Sequence, residues 1–328
     1  MTKPARISYV IMVVSLLLIG WLHLGTLALT ILFGYFALQQ FSFKRSKFLG
    51  VTLYLFAVLA IGWGVFYFSH QAYVTVPKIA ETTIPAVVEY AEEQGVQLPF
   101  TDYASFKSAA INEVKEEVAN AGRFVRAAAF QIALLIIGLA AAVGLFLNAT
   151  WGAESEPGTV HDSLYATVVR ELDVRARTFY RSFSRVIGAQ IVISLINSAL
   201  TAVFLAWNGY PYKTILVVFT FLCGLLPIIG NVISNTLIVG VSFTISPRMA
   251  LFALIFLIAI HKLEYFLNSK IIGDRIRTPM WLTLIGLVLG EKLMGIPGMI
   301  LAPVVLHYIK VEASRNKVTE TPSEPIVP

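Results

Sequence analysis

The chain has 328 residues, of which 57% are hydrophobic and only 13% are charged. Apolar runs recur along most of its length, and one soluble core cannot bury them all, so the composition excludes an ordinary soluble globular protein. The formal net charge of +6 does not indicate a nucleic-acid partner, because in a membrane chain a surplus of Lys and Arg sets the topology. We therefore expect an all-α, polytopic membrane protein with lipid as its solvent.

The first apolar run, residues 7–41, is too long for one crossing, which needs about 20 residues. Glycine and histidine residues interrupt its middle, so we predict a tight helical hairpin of residues 7–22 and 26–41. A third span, residues 48–68, completes an N-terminal membrane region of residues 1–69.

Basic residues flank the predicted hairpin at both ends. Lys3 and Arg6 precede it, and Lys44, Arg45 and Lys47 follow it. Because cytoplasmic loops carry an excess of Lys and Arg, both ends of the hairpin are placed inside the cell. We predict a multi-pass protein of a bacterial-type cytoplasmic (inner) membrane, with both termini in the cytoplasm.

A polar stretch, residues 70–126, follows the third span and is therefore predicted to be a small extracytoplasmic helical segment. Pro77, Pro85 and Pro99 are expected to divide it into short pieces. Residues 106–121 have apolar positions at helical spacing beside charged ones, which predicts an amphipathic helix.

The fourth span, residues 127–147, returns the chain to the cytoplasm, where residues 151–185 form an arginine-rich linker helix. We interpret this linker as a solvated connecting helix, with a gating or partner site as the alternative. The two elements make up a region of residues 127–185. The C-terminal membrane core, residues 186–310, begins with a fifth span, residues 186–206.

Two further apolar blocks in this core are too long for single spans. Residues 214–246 and residues 280–308 each have proline and glycine near the middle. Since proline removes a backbone donor and glycine loosens a helix, each block is predicted to be a broken hairpin, either re-entrant or spanning. One crossing, residues 250–267, connects them, and the polar tail of residues 311–328 is predicted to be disordered.

The first of these breaks is the candidate solute site. Broken helices at membrane depth release backbone groups that protein, water or a ligand must satisfy, and transporters use such breaks to bind solutes. The fifth span also carries four polar residues on one helical face. The candidate solute path consists of that face and the break: Gln190, Ser194, Asn197, Thr201, Pro227, Gly230, Asn231 and Asn235. Hydrogen bonding between packed helices, without any solute, is the alternative interpretation.

Three ionisable residues lie in apolar surroundings, where such groups are costly and mark functional sites. His261 and Glu264 are three residues apart on one helical face, and Glu291 lies in the last hairpin. They are candidates for coupling to ion or proton movement. The alternative is a salt bridge or a snorkelling group at the membrane interface.

A third set of residues is predicted to break or pack helices, because small residues let helices approach closely. Its members are Gly286, Gly290, Gly295, Pro297, Gly298 and Pro303. Cys223, the single cysteine, is interpreted as a small packing residue. The sequence has no phosphate-binding loop, no His-Glu-x-x-His and no Gly-x-Ser-x-Gly motif, so we predict no catalytic residue, metal ligand or cofactor, and no enzyme.

Three ordered motifs in the C-terminal half carry a family resemblance. They are Leu-Leu-Pro-Ile-Ile-Gly-Asn at residues 225–231, Leu-Glu-Tyr-Phe-Leu-Asn-Ser-Lys-Ile-Ile-Gly at residues 263–273 and Gly-Glu-Lys-Leu-Met-Gly-Ile-Pro-Gly-Met-Ile-Leu-Ala-Pro at residues 290–303. The chain resembles the AI-2E family of transporters, also described as autoinducer-2 exporter-like or PerM-like permeases. This resemblance implies about eight transmembrane segments and a homo-oligomer, with a pentamer as the expected state.

The resemblance also implies a function. Our leading hypothesis is secondary or facilitative export of a small organic solute or signalling molecule similar to autoinducer-2. The second is sodium or lithium/proton antiport, as described for some relatives. The third is a non-transporting membrane scaffold that acts through the external helical segment. The expected partners are membrane lipids and a small-molecule or ion substrate, with no nucleic acid.

Overall fold

The computed structural model describes residues 2–42, 46–96, 104–105, 108, 121–148, 163–227, 229–272 and 279–314. These residues contain no strand, and the all-α fold predicted from the sequence is confirmed. The helices, in chain order, are α1 (Lys3–Trp21), α2 (Gly25–Phe41), α3 (Lys47–Glu93), α4 (Ala121–Leu147), α5 (Leu164–Trp207), α6 (Lys213–Gly224), α7 (Ile229–Phe243), α8 (Pro247–Ile272), α9 (Met280–Met294) and α10 (Ile296–Ala313).

Five of the described helices are long and apolar enough to cross a membrane, namely α1, α3, α4, α5 and α10. Helices α2, α6 and α7 are apolar but shorter, at 17, 12 and 15 residues. A helix that crosses the hydrocarbon layer needs about 20 residues, so α6 and α7 are each too short to cross it alone. The protein is therefore a polytopic membrane protein, and the total of about eight spans stays a prediction.

The predicted division of residues 7–41 into two helices is seen as α1 and α2, while their pairing as a tight hairpin stays a prediction. His23 takes a left-handed conformation with φ of 53°, and the N–H of Leu24 donates to the carbonyl oxygen of Ile19 at 2.9 Å. The N–H of His23 donates to Gly20 O at 3.1 Å. This pair of bonds is the Schellman motif that ends a helix sharply, so α1 stops at Trp21 and α2 begins at Gly25.

Helix α3 corrects the prediction for residues 70–126. Pro77 and Pro85 lie inside one continuous helix of 47 residues, whereas the sequence was expected to break there. Ile79 and Val88 are buried on either side of Pro85, and this packing offsets the backbone bonds that the prolines remove. The predicted boundary between residues 69 and 70 therefore falls inside α3. The predicted amphipathic helix, residues 106–121, lies almost wholly outside the described residues, as does Pro99.

Helix α5 joins the predicted linker to the predicted fifth span. It runs without interruption for 44 residues, and the side chain of Ser163 caps its start by accepting from the N–H of Ala166 at 3.2 Å. The expected boundary between residues 185 and 186 lies inside this helix. At the other end of the chain, α10 continues to Ala313 and so includes the first three residues of the predicted disordered tail. Residues 315–328 lie outside the described residues.

The buried apolar side chains form three clusters, and three helices, α2, α3 and α5, each contribute to two of them. One cluster joins α3, α5, α6, α7 and α8, and a second joins α2, α5 and α10. The third joins α2, α3 and α4. Helix α5 contributes Ile187 to the second cluster and Phe204 to the first, so it is the rigid element that connects the helix break to the N-terminal hairpin.

The turns of two hairpins touch each other. A Cβ atom built on Gly25 would lie 2.9 Å from Pro297 Cβ and 3.0 Å from Met294 Cβ. The α1–α2 turn and the α9–α10 turn therefore lie at the same end of the molecule, as the predicted topology requires. An open depression of about 590 Å³ surrounds this contact, with His23, Thr26 and Gln131 among its lining residues.

Candidate functional site

The predicted break in residues 214–246 is confirmed between α6 and α7. Helix α6 ends at Gly224, and the N–H of Leu226 donates to Cys223 O at 2.8 Å as the chain turns. A Cβ atom at Gly230 would overlap with the carbonyl oxygen of Cys223, so only glycine allows α7 to begin there. The two helices thus meet end to end, with Pro227 in the turn between them.

Side chains from α5 bind the carbonyl groups at the end of α6. The Gln190 Nε2 donates to Gly224 O at 2.6 Å, and the Ser194 Oγ donates to Phe221 O at 2.8 Å. The last carbonyl groups of a helix have no partner within the helix, and these two bonds give a donor to each of two such groups. Two members of the predicted polar face therefore hold α5 against the break.

Glu264 of α8 is the centre of the candidate site. Its side chain is buried, and its Oε2 accepts from Asn231 Nδ2 at 2.5 Å and from Asn197 Nδ2 at 3.3 Å. His261 Nδ1 lies 3.9 Å from the same oxygen, although the His261 side chain is 64% exposed. We call Glu264, Asn231, Asn197 and His261 the Glu264 cluster. It brings three helices, α5, α7 and α8, to one carboxylate at the break.

Helix α5 has further buried polar atoms at Asn197 and within the next four residues. Asn197 Oδ1, Ser198 Oγ and Thr201 Oγ1 have no hydrogen-bond partner among the described residues. Buried polar atoms without partners are rare in proteins and mark positions where another polar group binds. The predicted face thus divides into two halves, with Gln190 and Ser194 bonded to α6, and Asn197 and Thr201 holding unused oxygen atoms.

The structure does not bring every candidate residue to this cluster. Glu291 lies at the end of α9, where its carboxylate is 3.6 Å from Lys292 Nζ, and its side chain is 47% exposed. Helix α9 packs on α10 and α1, away from the cluster. Asn235, one turn beyond Asn231 on α7, is half-buried, and none of the contacts found for the described residues connects it to Glu264.

The second break, between α9 and α10, is built by close packing. Gly295 has a φ of 64° and is the only residue between the two helices. A Cβ atom on Gly298 would overlap with Gly290 O, and one on Gly286 would lie 3.0 Å from Leu306 Cδ1. Pro297 lies in the first turn of α10, and Pro303 lies inside that helix. This pair of helices is therefore in backbone contact.

One feature of the site is not apparent from the sequence. The asparagines were predicted in a solute path and Glu264 in a separate set of ion-coupling residues, whereas all three side chains meet. Asn197 and Asn231 precede Glu264 by 67 and 33 residues, so no local spacing could have revealed the contact. The only available signal was that each residue is polar in an apolar stretch.

Comparison with known proteins gives the chain its family. The family model described as AI-2E family transporter matches residues 7–314. One curated relative, "Putative transport protein YdbI" of Bacillus subtilis (strain 168), is 31% identical over 142 residues, which is 42% of this chain and 41% of that protein. The chain thus matches about two fifths of that relative's length. Since the family model covers nearly the whole chain, this protein belongs to the AI-2E transporter family.

Proposed function

We propose that this transporter is a secondary or facilitative exporter of a small polar organic solute and that the solute binds at the Glu264 cluster. The observation that carries the proposal is the meeting of Glu264, Asn197 and Asn231 at the α6–α7 break. Transporters bind their substrates at interrupted helices, where side chains and released backbone groups replace water. No other polar group found among the described residues joins three helices at a break.

The chemistry of the cluster defines the class of solute. A carboxylate accepts hydrogen bonds, and each carboxamide both donates and accepts them. A small molecule with several hydroxyl groups, similar to autoinducer-2, offers the matching donors and acceptors. Solute binding then replaces the bonds that Asn197 and Asn231 make to Glu264, so little hydrogen bonding is lost when the solute enters.

The bonds from Gln190 and Ser194 to α6 belong to the closed arrangement of this path. They hold the end of α6 against α5 and cover the break. In the transport cycle the end of α6 separates from α5, and its carbonyl groups become available to the solute. This step makes Gln190 and Ser194 part of the gate, and Asn197 part of the binding site.

The test compares Glu264→Gln with the wild-type protein. Cells that express each protein are compared by untargeted measurement of internal and external metabolites, and the exported compound is then tested in proteoliposomes. We expect the Glu264→Gln variant to lose export, because the amide carries no negative charge and accepts weaker hydrogen bonds than a carboxylate does. Glu291→Gln is the matched control, because that carboxylate lies outside the cluster. Export that survives in Glu264→Gln would refute the proposed site.

Sodium or lithium/proton antiport is the second candidate, and the proximity of His261 to Glu264 favours it. A carboxylate and an imidazole 3.9 Å apart can exchange a proton for a cation. In proteoliposomes with an internal pH-sensitive dye, sodium or lithium pulses would then move protons in the wild type and not in Glu264→Gln. A response to these pulses without export of any metabolite selects antiport over solute export.

A further inference from the structure

A second polar cluster lies between α1, α5 and α10, away from the break. The hydroxyl of Tyr9 on α1 donates to Glu312 Oε1 on α10 at 2.8 Å. The guanidinium carbon of Arg175 on α5 lies 4.0 Å from the centroid of the Tyr9 ring. Arg175 is only 4% exposed and Glu312 only 9% exposed. Tyr9 therefore binds a buried cation with its ring and a buried anion with its hydroxyl.

These contacts fix the relative position of three helices. Arg175 Nη1 also donates to the carbonyl oxygen of Glu171 at 2.8 Å and to the Glu171 carboxylate, within α5. A buried charge is costly unless partners satisfy it, so Arg175 and Glu312 both favour the arrangement in which Tyr9 lies between them. Helix α1 cannot shift against α5 or α10 without breaking the cation–π contact or the hydrogen bond.

Helix α5 connects this cluster to the break. Gln190 comes fifteen residues after Arg175 on the same uninterrupted helix, a distance of about 22 Å along its axis. Gln190 and Ser194 bind the end of α6. Because α5 has no break between these residues, a tilt of its first half moves Gln190 and Ser194 relative to α6.

We propose that Tyr9, Arg175 and Glu312 form a latch that holds α5 against α1 and α10, and that release of this latch opens the α6–α7 break. The latch would regulate the proposed solute path, and this inference rests on the proposed function because it assumes that solute passes through the break. The latch and the solute path can be refuted separately, because the opening of the break is measurable without any solute.

Cys223 provides that measurement. It is the only cysteine in the chain, it lies at the end of α6, and it is buried at 7% exposure. A buried thiol reacts slowly, and its rate of modification rises when the surrounding helices separate. The rate at which a maleimide labels the full-length protein in liposomes therefore reports the opening of the break. Cys223→Ser gives the background.

We expect Tyr9→Phe to raise the rate of Cys223 labelling about tenfold, which corresponds to about 1.4 kcal/mol and is comparable to one hydrogen bond to a charged group. Tyr9→Leu also removes the ring beneath Arg175, so its rate should be higher still. Tyr35→Phe is the matched control, because the hydrogen bond found for the Tyr35 hydroxyl among the described residues comes from Gln39 Nε2 within α2, at 2.9 Å. The substitution keeps the ring that contacts Tyr180 of α5. Its labelling rate should equal that of the wild type.

A second control separates the latch from general instability. Leu38→Ala creates a cavity in the cluster of α2, α3 and α4 and lowers the melting temperature without touching the latch. At a temperature well below unfolding, its Cys223 should label at the wild-type rate. The proposal is overturned if Tyr9→Phe labels like the wild type, or if Leu38→Ala labels as fast as Tyr9→Phe. The labelling rates do not depend on whether Glu264→Gln retains transport. The transport assay of that variant tests the solute site alone.

Discussion

Glu264 lies in an apolar helix of a membrane protein, and its surroundings explain how a carboxylate is tolerated there. Lipid offers no hydrogen bonds, so a buried carboxylate needs donors from the protein. Asn231 and Asn197 supply them from two other helices. The sequence predicted Asn197 and Asn231 as members of a solute path and Glu264 as an ion-coupling residue. Their contact could not be predicted, because it depends on how α5, α7 and α8 pack.

The bond between Asn231 and Glu264 predicts a measurable energetic coupling. A double-mutant cycle of Asn231→Ala and Glu264→Ala should give a coupling of about 1.5–3 kcal/mol, the range for a hydrogen bond to a charged group. The free energy of unfolding is measured by denaturant titration of the protein in mixed micelles. Asn235→Ala in the same cycle should show a coupling below about 0.5 kcal/mol. Equal couplings for the two asparagines would mean that the bond is not formed.

Gln190 shows that helical spacing predicts the face on which a side chain lies but not the partner that it binds. The spacing correctly places Gln190 and Asn197 on one face of α5, yet the two side chains have different partners. Gln190 binds Gly224 O, and replacing it with leucine would leave a carbonyl at the end of α6 without that donor, at a cost of about 1–3 kcal/mol. A loss of transport in such a variant would combine lost stability with lost binding. Glu264→Gln is therefore the cleaner test of the site.

At the scale of the helices, prolines gave one correct and one wrong prediction. Pro227 lies in a true break because Gly224 and Gly230 are close by, and both allow backbone contact that a larger residue would prevent. Pro77 and Pro85 have no glycine between Gly64 and Gly95, and the helix around them packs on α7 through the ring contact of Tyr90 with Phe243. A proline alone bends a helix, whereas a reversal also needs glycine.

The contact between α9 and α10 predicts a strong effect of a single methyl group. Gly298→Ala should destabilise the protein by about 3 kcal/mol or more, because its Cβ would meet the Gly290 carbonyl and the two backbones would have to separate. The measurement is the melting temperature of the purified protein. Gly144→Ala in α4 is the matched control, because nothing lies within 4 Å of its added Cβ. That change should be neutral or stabilising by up to about 1 kcal/mol.

At the scale of the whole molecule, α3 and α5 are each one continuous helix, although the sequence predicted a domain boundary inside each of them. The composition of α5 changes near Arg185 from charged to apolar, which resembles the end of a linker. Backbone hydrogen bonds do not depend on that change, so one helix continues from the polar half into the apolar half. This continuity puts Arg175 of the latch and Asn197 of the Glu264 cluster on one uninterrupted helix.

The orientation of the molecule in the membrane follows from its basic residues and predicts the result of reporter fusions. Alkaline phosphatase, active only outside the cytoplasm, should be active when fused after Val96 and inactive when fused after Ser314. A fluorescent-protein fusion should show the reverse pattern. The reason is that the positive-inside rule predicts a cytoplasmic position for Lys3, Arg6 and Lys47. From there α3 is expected to carry the chain outward to Gly95, whose left-handed turn follows that helix. Active phosphatase after Ser314 would invert the topology, and with it the face of the membrane at which the Tyr9 latch lies.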